Sequence, residues 1–128
     1  MAKLRHIAIA VPDIQDTARF YESSFGMERE RESDVAVMLT DGVISLAIID
    51  SNRNVNAENR TGLHHFGFLL EGLDQAASRV EQSGGRYHGQ IRNIGDGPQS
   101  ERKYRDPNGI DFDIVNAEHA RKVWRIPA

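Results

Sequence analysis

The chain has 128 residues, the length of one ordinary domain, and a domain of that length buries enough surface to fold without staples. It has no cysteine, which excludes disulfides and thiolate metal sites, and no apolar run approaches the roughly 20 residues that span a bilayer. The formal net charge of −3, with both signs mixed along the chain, is the wrong balance for a nucleic-acid binder, and the most basic stretch, 101–105, is short and interrupted. Together these features predict a cytoplasmic protein with no nucleic-acid and no membrane partner.

The first strand signal covers 4–11. Its alternation puts Ile7, Ile9 and Val11 on one face and His6, Ala8 and Ala10 on the other. Pro12 and Asp13 close the strand and open a helix, on which Ala18, Tyr21 and Phe25 fall at helical spacing, and Gly26 is a stop of the left-handed kind. Strands follow near 27–32, 35–40 and 43–49, the last two separated by the hairpin signal Asp41-Gly42. The polar stretch 51–62 reads as a linker.

A second series then begins. A strand covers 63–70, a helix starts at Leu73 and stops at Gly84-Gly85, and strands follow near 86–90, 100–105 and 110–115. The tail, 116–128, is ambiguous, and Trp124 within it is read as the anchor of a last helical turn or as a subunit contact. The predicted order is β-α-β-β-β twice, with module 1 at about 4–50 and module 2 at about 63–115 of a single domain. A shift of 59 residues pairs His6 with His65, Ala18 with Ala77, Glu22 with Glu81, Ser24 with Ser83 and Gly26 with Gly85. These identities are few, but they respect the order histidine, apolar strand, helix, glycine.

Three residues stand out from this pattern. His6 shares its face with Ala8 and Ala10, and His65 shares its face with Gly67 and Leu69, so small residues two positions on leave space beside each histidine. In the last strand Ile110, Phe112 and Ile114 form the packed face, and Asp111 and Asp113 point the other way. A carboxylate in the middle of a core strand is costly unless it is paired or bound to metal. Two histidines and a carboxylate on three strands form the donor set of Fe(II), Mn(II) or Zn(II) sites with open positions. The plainer readings are a structural histidine at a strand start and solvated aspartates on an edge strand. His64 has the opposite parity to His65, and a one-residue slip in register would exchange them. His64, His88 and His119 fit no ligand pattern.

The segments His6-Ile-Ala-Ile-Ala-Val-Pro-Asp13, His65-Phe-Gly-Phe68, Gly84-Gly85 and Arg105-Asp-Pro-Asn-Gly-Ile-Asp-Phe-Asp-Ile-Val115 resemble the vicinal oxygen chelate superfamily, the glyoxalase, bleomycin-resistance and extradiol-dioxygenase group. The resemblance runs from Leu4 to Val115. It implies an α+β fold of two βαβββ modules forming a curved mixed sheet around a metal-binding cavity. Carried over, the metal ligands are His6, His65 and Asp113, the last standing where the family usually has Glu, a reach shorter by roughly 1.5 Å. The matching position of module 1 falls at Ser45, where glyoxalase I and methylmalonyl-CoA epimerase carry Glu or Gln.

The implied function is a metalloenzyme acting on a small oxygen-chelating substrate, leaning to extradiol-dioxygenase-like chemistry. The implied cofactor is a divalent metal, Fe(II) or Mn(II) ahead of Zn(II) or Ni(II). Tyr104 is a candidate acid or hydrogen-bond donor beside the site, its plainer reading being a half-buried strand aromatic. The alternatives are a metal-free binding protein of the bleomycin-resistance type and a glyoxalase-like lyase or isomerase. A fosfomycin-type transferase is weaker, because no potassium-binding loop is recognisable. Small members of the family share cavities between subunits, which implies a homodimer. The substrate is not readable, and the glycine- and proline-rich stretch 92–100 is expected as a loop closing over the cavity.

Overall fold

The computed structural model describes residues 1–57, 59–89 and 100–128. The expected closing loop lies outside these residues except for Ser100. The fold is α+β, and the elements run β1 (Lys3–Val11), α1 (Ile14–Phe25), β2 (Glu28–Glu32), β3 (Ala36–Thr40), β4 (Ser45–Asp50), a 3-10 turn (Val55–Ala57), β5 (Gly62–Leu69), α2 (Leu73–Gln82), β6 (Arg86–Gly89), β7 (Glu101–Arg105), β8 (Asp111–Val115), α3 (Ala117–His119) and a π-helical turn (Ala120–Trp124). This is βαβββ twice, as the periodicity predicts. The chain forms two compact units, one of His6–His64 and one of Met1–Arg5 with His65–Ala128. Among the described residues no helix is long and apolar enough to cross a membrane.

In the unit of His6–His64 the strand order is β2-β3-β4-β1, with β1 parallel to β4 and β3 antiparallel to both β2 and β4. The helix α1 begins because the Asp13 carboxylate accepts the backbone N–H of Asp16, satisfying one donor that the first turn leaves open. It ends at Gly26, whose φ of 68° places the residue in the left-handed region that glycine occupies without strain. Ile14 and Ala18 on α1 pack with Val37, Leu39 and Ile48, and Ile9 and Val11 of β1 join them. The larger face of β1 therefore meets the helix. Phe25, expected on the packed side, is 71% exposed. On the small-residue face, Ala10 packs with Ile49 and with Ala57 of the linker. The linker thus covers part of the space that the small residues leave.

In the second unit the order is β5-β8-β7-β6, with β5 parallel to β8 and β7 antiparallel to both β8 and β6. Ala76 and Ala77 of α2 pack on Leu70, Tyr104 and Ile114, with Phe68, Leu73, Val80 and Phe112 around them. Small residues on α2 let the helix approach an aromatic layer in which Phe66, Phe112 and Tyr104 stack in sequence. At Gly85, after the helix, a Cβ would run into Val80. Ile110, expected on the packed face, precedes β8 and is 49% exposed, because it belongs to the turn. The repeat extends to an irregularity: the second strand of each module carries a register shift, between Arg29 and Arg31 in β2 and between Tyr87 and Gly89 in β6.

The tail is ordered by its own interactions. Asn116 caps α3 by accepting the backbone N–H of His119. Trp124 is 2% exposed and meets the His119 ring edge to face at 5.6 Å. Of the two sequence expectations for Trp124, the anchor of a last helical turn is the one that its burial matches.

Candidate metal centre

His6 lies on β1, 4% exposed, beside Ser45 on the parallel strand β4. Its Nδ1 is 3.0 Å from Ser45 Oγ. That contact fixes the imidazole plane and makes Nε2 the nitrogen through which the ring would take a metal.

The position matching Asp113 in this unit follows from the two parallel pairings. Gly67 is opposite Asp113, and Ala8, the counterpart of Gly67 under the 59-residue shift, is opposite Ala47. The counterpart of Asp113 is therefore Ala47, not Ser45 as the sequence suggested. Ser45 sits two residues earlier, where it bonds to His6. The register of β4 against β1, which the sequence does not display, decides which residue matches.

In the second unit, Asp113 is 1% exposed and His65 is 9% exposed. His65 Nε2 lies 3.1 Å from Asp113 Oδ2, and Lys103 Nζ donates to Asp113 Oδ1 at 2.7 Å. Burial pushes the Asp113 carboxyl up. The hydrogen bond from His65 and the charges of His65 and Lys103 outweigh it and hold the group well below the usual carboxylate range. Both carboxylate oxygens are thus engaged where solvation is poor. His65, not His64, is the histidine on this face, as its parity predicts.

Lys103 is the residue that sequence reasoning missed. The turn of Asp106 to Ile110 is set by Asp106, whose carboxylate accepts the N–H groups of Asn108 and Ile110, and by Gly109 at φ 86°. That turn brings Arg105 opposite Asp111 and Lys103 opposite Asp113. Directly opposed residues of an antiparallel pair share a face. The signal was present as two cations that meet two carboxylates across one turn, and Arg105 Nε does donate to Asp111 Oδ1 at 2.9 Å.

The same alternation removes Tyr104 from the site. Tyr104 is opposite Phe112, on the α2 side of the sheet, 1% exposed within the core cluster. Burial first, with the charge of Glu81, raises its phenol above the ordinary value, so it is a core aromatic and a weaker acid. Its plainer sequence reading is the one its position supports. His88 is exposed at the edge, 3.3 Å from Arg105 Nη2. His119 is buried in the tail, its Nδ1 3.1 Å from Ser100 Oγ and its Nε2 3.5 Å from Glu101. A cleft of about 430 Å³ lies on the other side of the second unit, lined by Arg79, Val80, Ser83, Gly85, Asp106, Pro107 and Phe112, and neither His65 nor Asp113 borders it.

The donor chemistry of the second unit fits a divalent cation. The imidazole of His65 and the carboxylate of Asp113, 3.1 Å apart, are donors that would suit such an ion.

Comparison with known proteins places these features in a family. The model described as "Glyoxalase/Bleomycin resistance protein/Dioxygenase superfamily" matches residues 3–114. Among solved structures, a hypothetical protein, BH1468 from Bacillus halodurans C-125, aligns with a TM-score of 0.71 at 19% identity, covering 90% of this chain and 94% of that one. A methylmalonyl-CoA epimerase in complex with methylmalonyl-CoA and NH4+ aligns at 0.64 and 22%, covering 91% and 94%. The methylmalonyl-CoA epimerase of Mycobacterium tuberculosis aligns at 0.62 and 22%, covering 88% and 86%. At these identities the likeness is one of fold. No curated protein matches the chain.

Proposed function

This chain belongs to the Glyoxalase/Bleomycin resistance protein/Dioxygenase superfamily, and on that premise we propose that it is a divalent-metal enzyme acting on a small oxygen-chelating substrate, with His6, His65 and Asp113 as the metal ligands. The observation that carries the reading is the buried Asp113 with a carboxylate oxygen 3.1 Å from the imidazole nitrogen of His65. Lys103 and His65 compensate the buried charge, and the oxygen that faces His65 is of the kind a divalent ion takes as ligand. His6 is the counterpart of His65 under the internal repeat, and its contact with Ser45 is the kind that orients a metal-binding histidine.

His6, His65 and Asp113 would hold a divalent ion, which would supply Lewis acidity to stabilise negative charge developing on a substrate oxygen. The chain's own residues do the rest. Ser45 holds the His6 ring, and Lys103 holds Asp113 so that Oδ2 is turned to His65. Ala8, Ala47 and Gly67 keep side-chain bulk away from the ligands. Alanine at position 47, where a fourth protein ligand or base would stand, favours extradiol-dioxygenase-like chemistry with Fe(II) or Mn(II). The second reading is an isomerase. It is supported by the shared fold with methylmalonyl-CoA epimerases, and Ala47 counts against it. Small members of such a family pair, and we read this chain as a homodimer.

The test is metal analysis of protein purified without chelator, beside H65A and D113A. The proposal expects about one divalent ion per chain in the wild type and a loss in both variants. Equal, substoichiometric metal in all three would leave a metal-free binding protein. Oxygen uptake with a panel of catechols under Fe(II) then separates the two enzyme readings, since an isomerase consumes none.

A further inference from the structure

The ligand carboxylate is not the only charge at its position. Lys103 Nζ lies 2.7 Å from Asp113 Oδ1, and the lysine side chain is 13% exposed, so solvent does little to screen it. The neighbouring pair on the same face is also balanced, with Arg105 donating to Asp111. On this face of β7 and β8 Asp111 and Asp113 each meet a cation of the opposite strand.

We infer that Lys103 cancels the charge of the ligand Asp113 and thereby makes the site select small chelators that carry two negative oxygens. The inference rests on the metal reading above. With neutral imidazoles, a site holding one carboxylate and one divalent ion has a charge of about +1, and Lys103 returns it to about +2. A poorly solvated charge of that size is met by a dianion: a dicarboxylate, an enediolate or a doubly ionised diol. A neutral or singly charged chelator leaves charge uncompensated. Lys103 also competes with the metal for Asp113, so the same residue that favours the dianion weakens the bare metal. It acts through the carboxylate and the field of the site, and is a specificity-determining and positioning residue.

The experiment uses the full chain loaded with Co(II) and two probes of the same shape: oxalate, a dianion, and oxamate, a monoanion. Affinities are read by calorimetry and by the visible Co(II) spectrum in the wild type, K103M and K103R. The preference of the wild type for oxalate over oxamate should fall about fivefold or more in K103M and persist in K103R, which keeps the charge. Co(II) alone should bind about tenfold more tightly to K103M. If K103M does not fold, K103Q carries the same test, being neutral and still able to hydrogen-bond. An unchanged oxalate preference and unchanged Co(II) affinity in the neutral variant overturns the inference and leaves the metal site standing. A wild type that binds Co(II) no better than H65A overturns the metal reading, and the inference falls with it.

Discussion

Lys103 and Asp113 face each other across β7 and β8 with 2.7 Å between ammonium and carboxylate, and both side chains are nearly removed from water. Breaking a buried pair leaves one charge uncompensated, which costs about 3–5 kcal/mol, whereas removing both partners costs much less. In chelator-treated protein, K103M and D113N should each destabilise on that scale. The K103M/D113N double variant should lose less than the sum of the two. Urea denaturation curves give all three values, and strict additivity would show that the pair is not coupled. Added Mn(II) should restore stability to K103M, because the ion takes the place of the lysine, and should not restore it to D113N.

Tyr104 supplies the contrasting case. It lies on the opposite face of β7 from Lys103, stacked on Phe112. Y104F should retain metal content and turnover within about twofold. A loss of turnover of a hundredfold with metal content intact would return the phenol to the chemistry.

Ala47 is the first module's counterpart of Asp113, 5% exposed. A47E introduces a carboxylate into a buried place. The metal-free variant should melt well below the wild type, and divalent metal should recover more of that loss than it adds to the wild type, because the new carboxylate becomes a ligand. Thermal melts with and without Mn(II) or Zn(II) measure this. Equal metal effects in the two proteins would place residue 47 outside the site.

Asp13 governs the acid side of α1. Its carboxyl sits below its ordinary value of 3.8, chiefly because it accepts the backbone N–H of Asp16. A depressed carboxylate contributes stability that is present above the unfolded value and lost as the pH falls through the folded value. Asparagine caps a helix about as well as aspartate but does not titrate. The stability advantage of the wild type over D13N should therefore be present at pH 7 and should be lost as the pH falls through the lowered folded value of the Asp13 carboxyl. A difference that does not change with pH would assign the cap no electrostatic part.

Trp124 is the chain's one tryptophan and is 2% exposed. W124A should cost about 3–5 kcal/mol, the usual loss for emptying a large aromatic site. Denaturation followed by circular dichroism checks this. A loss below about 1 kcal/mol would show the tail to be dispensable to the fold.

What could be read in the sequence came from local periodicity. Strand alternation put Ile9 and Val11 towards the helix and His6 away from it, because neighbouring side chains on a strand must point to opposite faces. The apolar spacing and the glycines located both helices, and the shift that pairs His6 with His65 exposed the duplication. The same parity chose His65 over His64. Each of these inferences needs only residues within one element, or one comparison between two elements.

The partners across strands were decided elsewhere. Lys103 against Asp113, Tyr104 against Phe112, and Ala47 as the counterpart of Asp113 all depend on register. Register is set by how many residues the turn of Asp106 to Ile110 consumes and by how β4 aligns with β1. A shift of one residue exchanges the two faces of a strand, so Lys103 and Tyr104, adjacent in the chain, differ completely in what they touch. The chain alone specifies which side chains share a face, since that follows from bond geometry. Which of them meet depends on hydrogen-bonded pairing between distant segments, and only the folded sheets supply it.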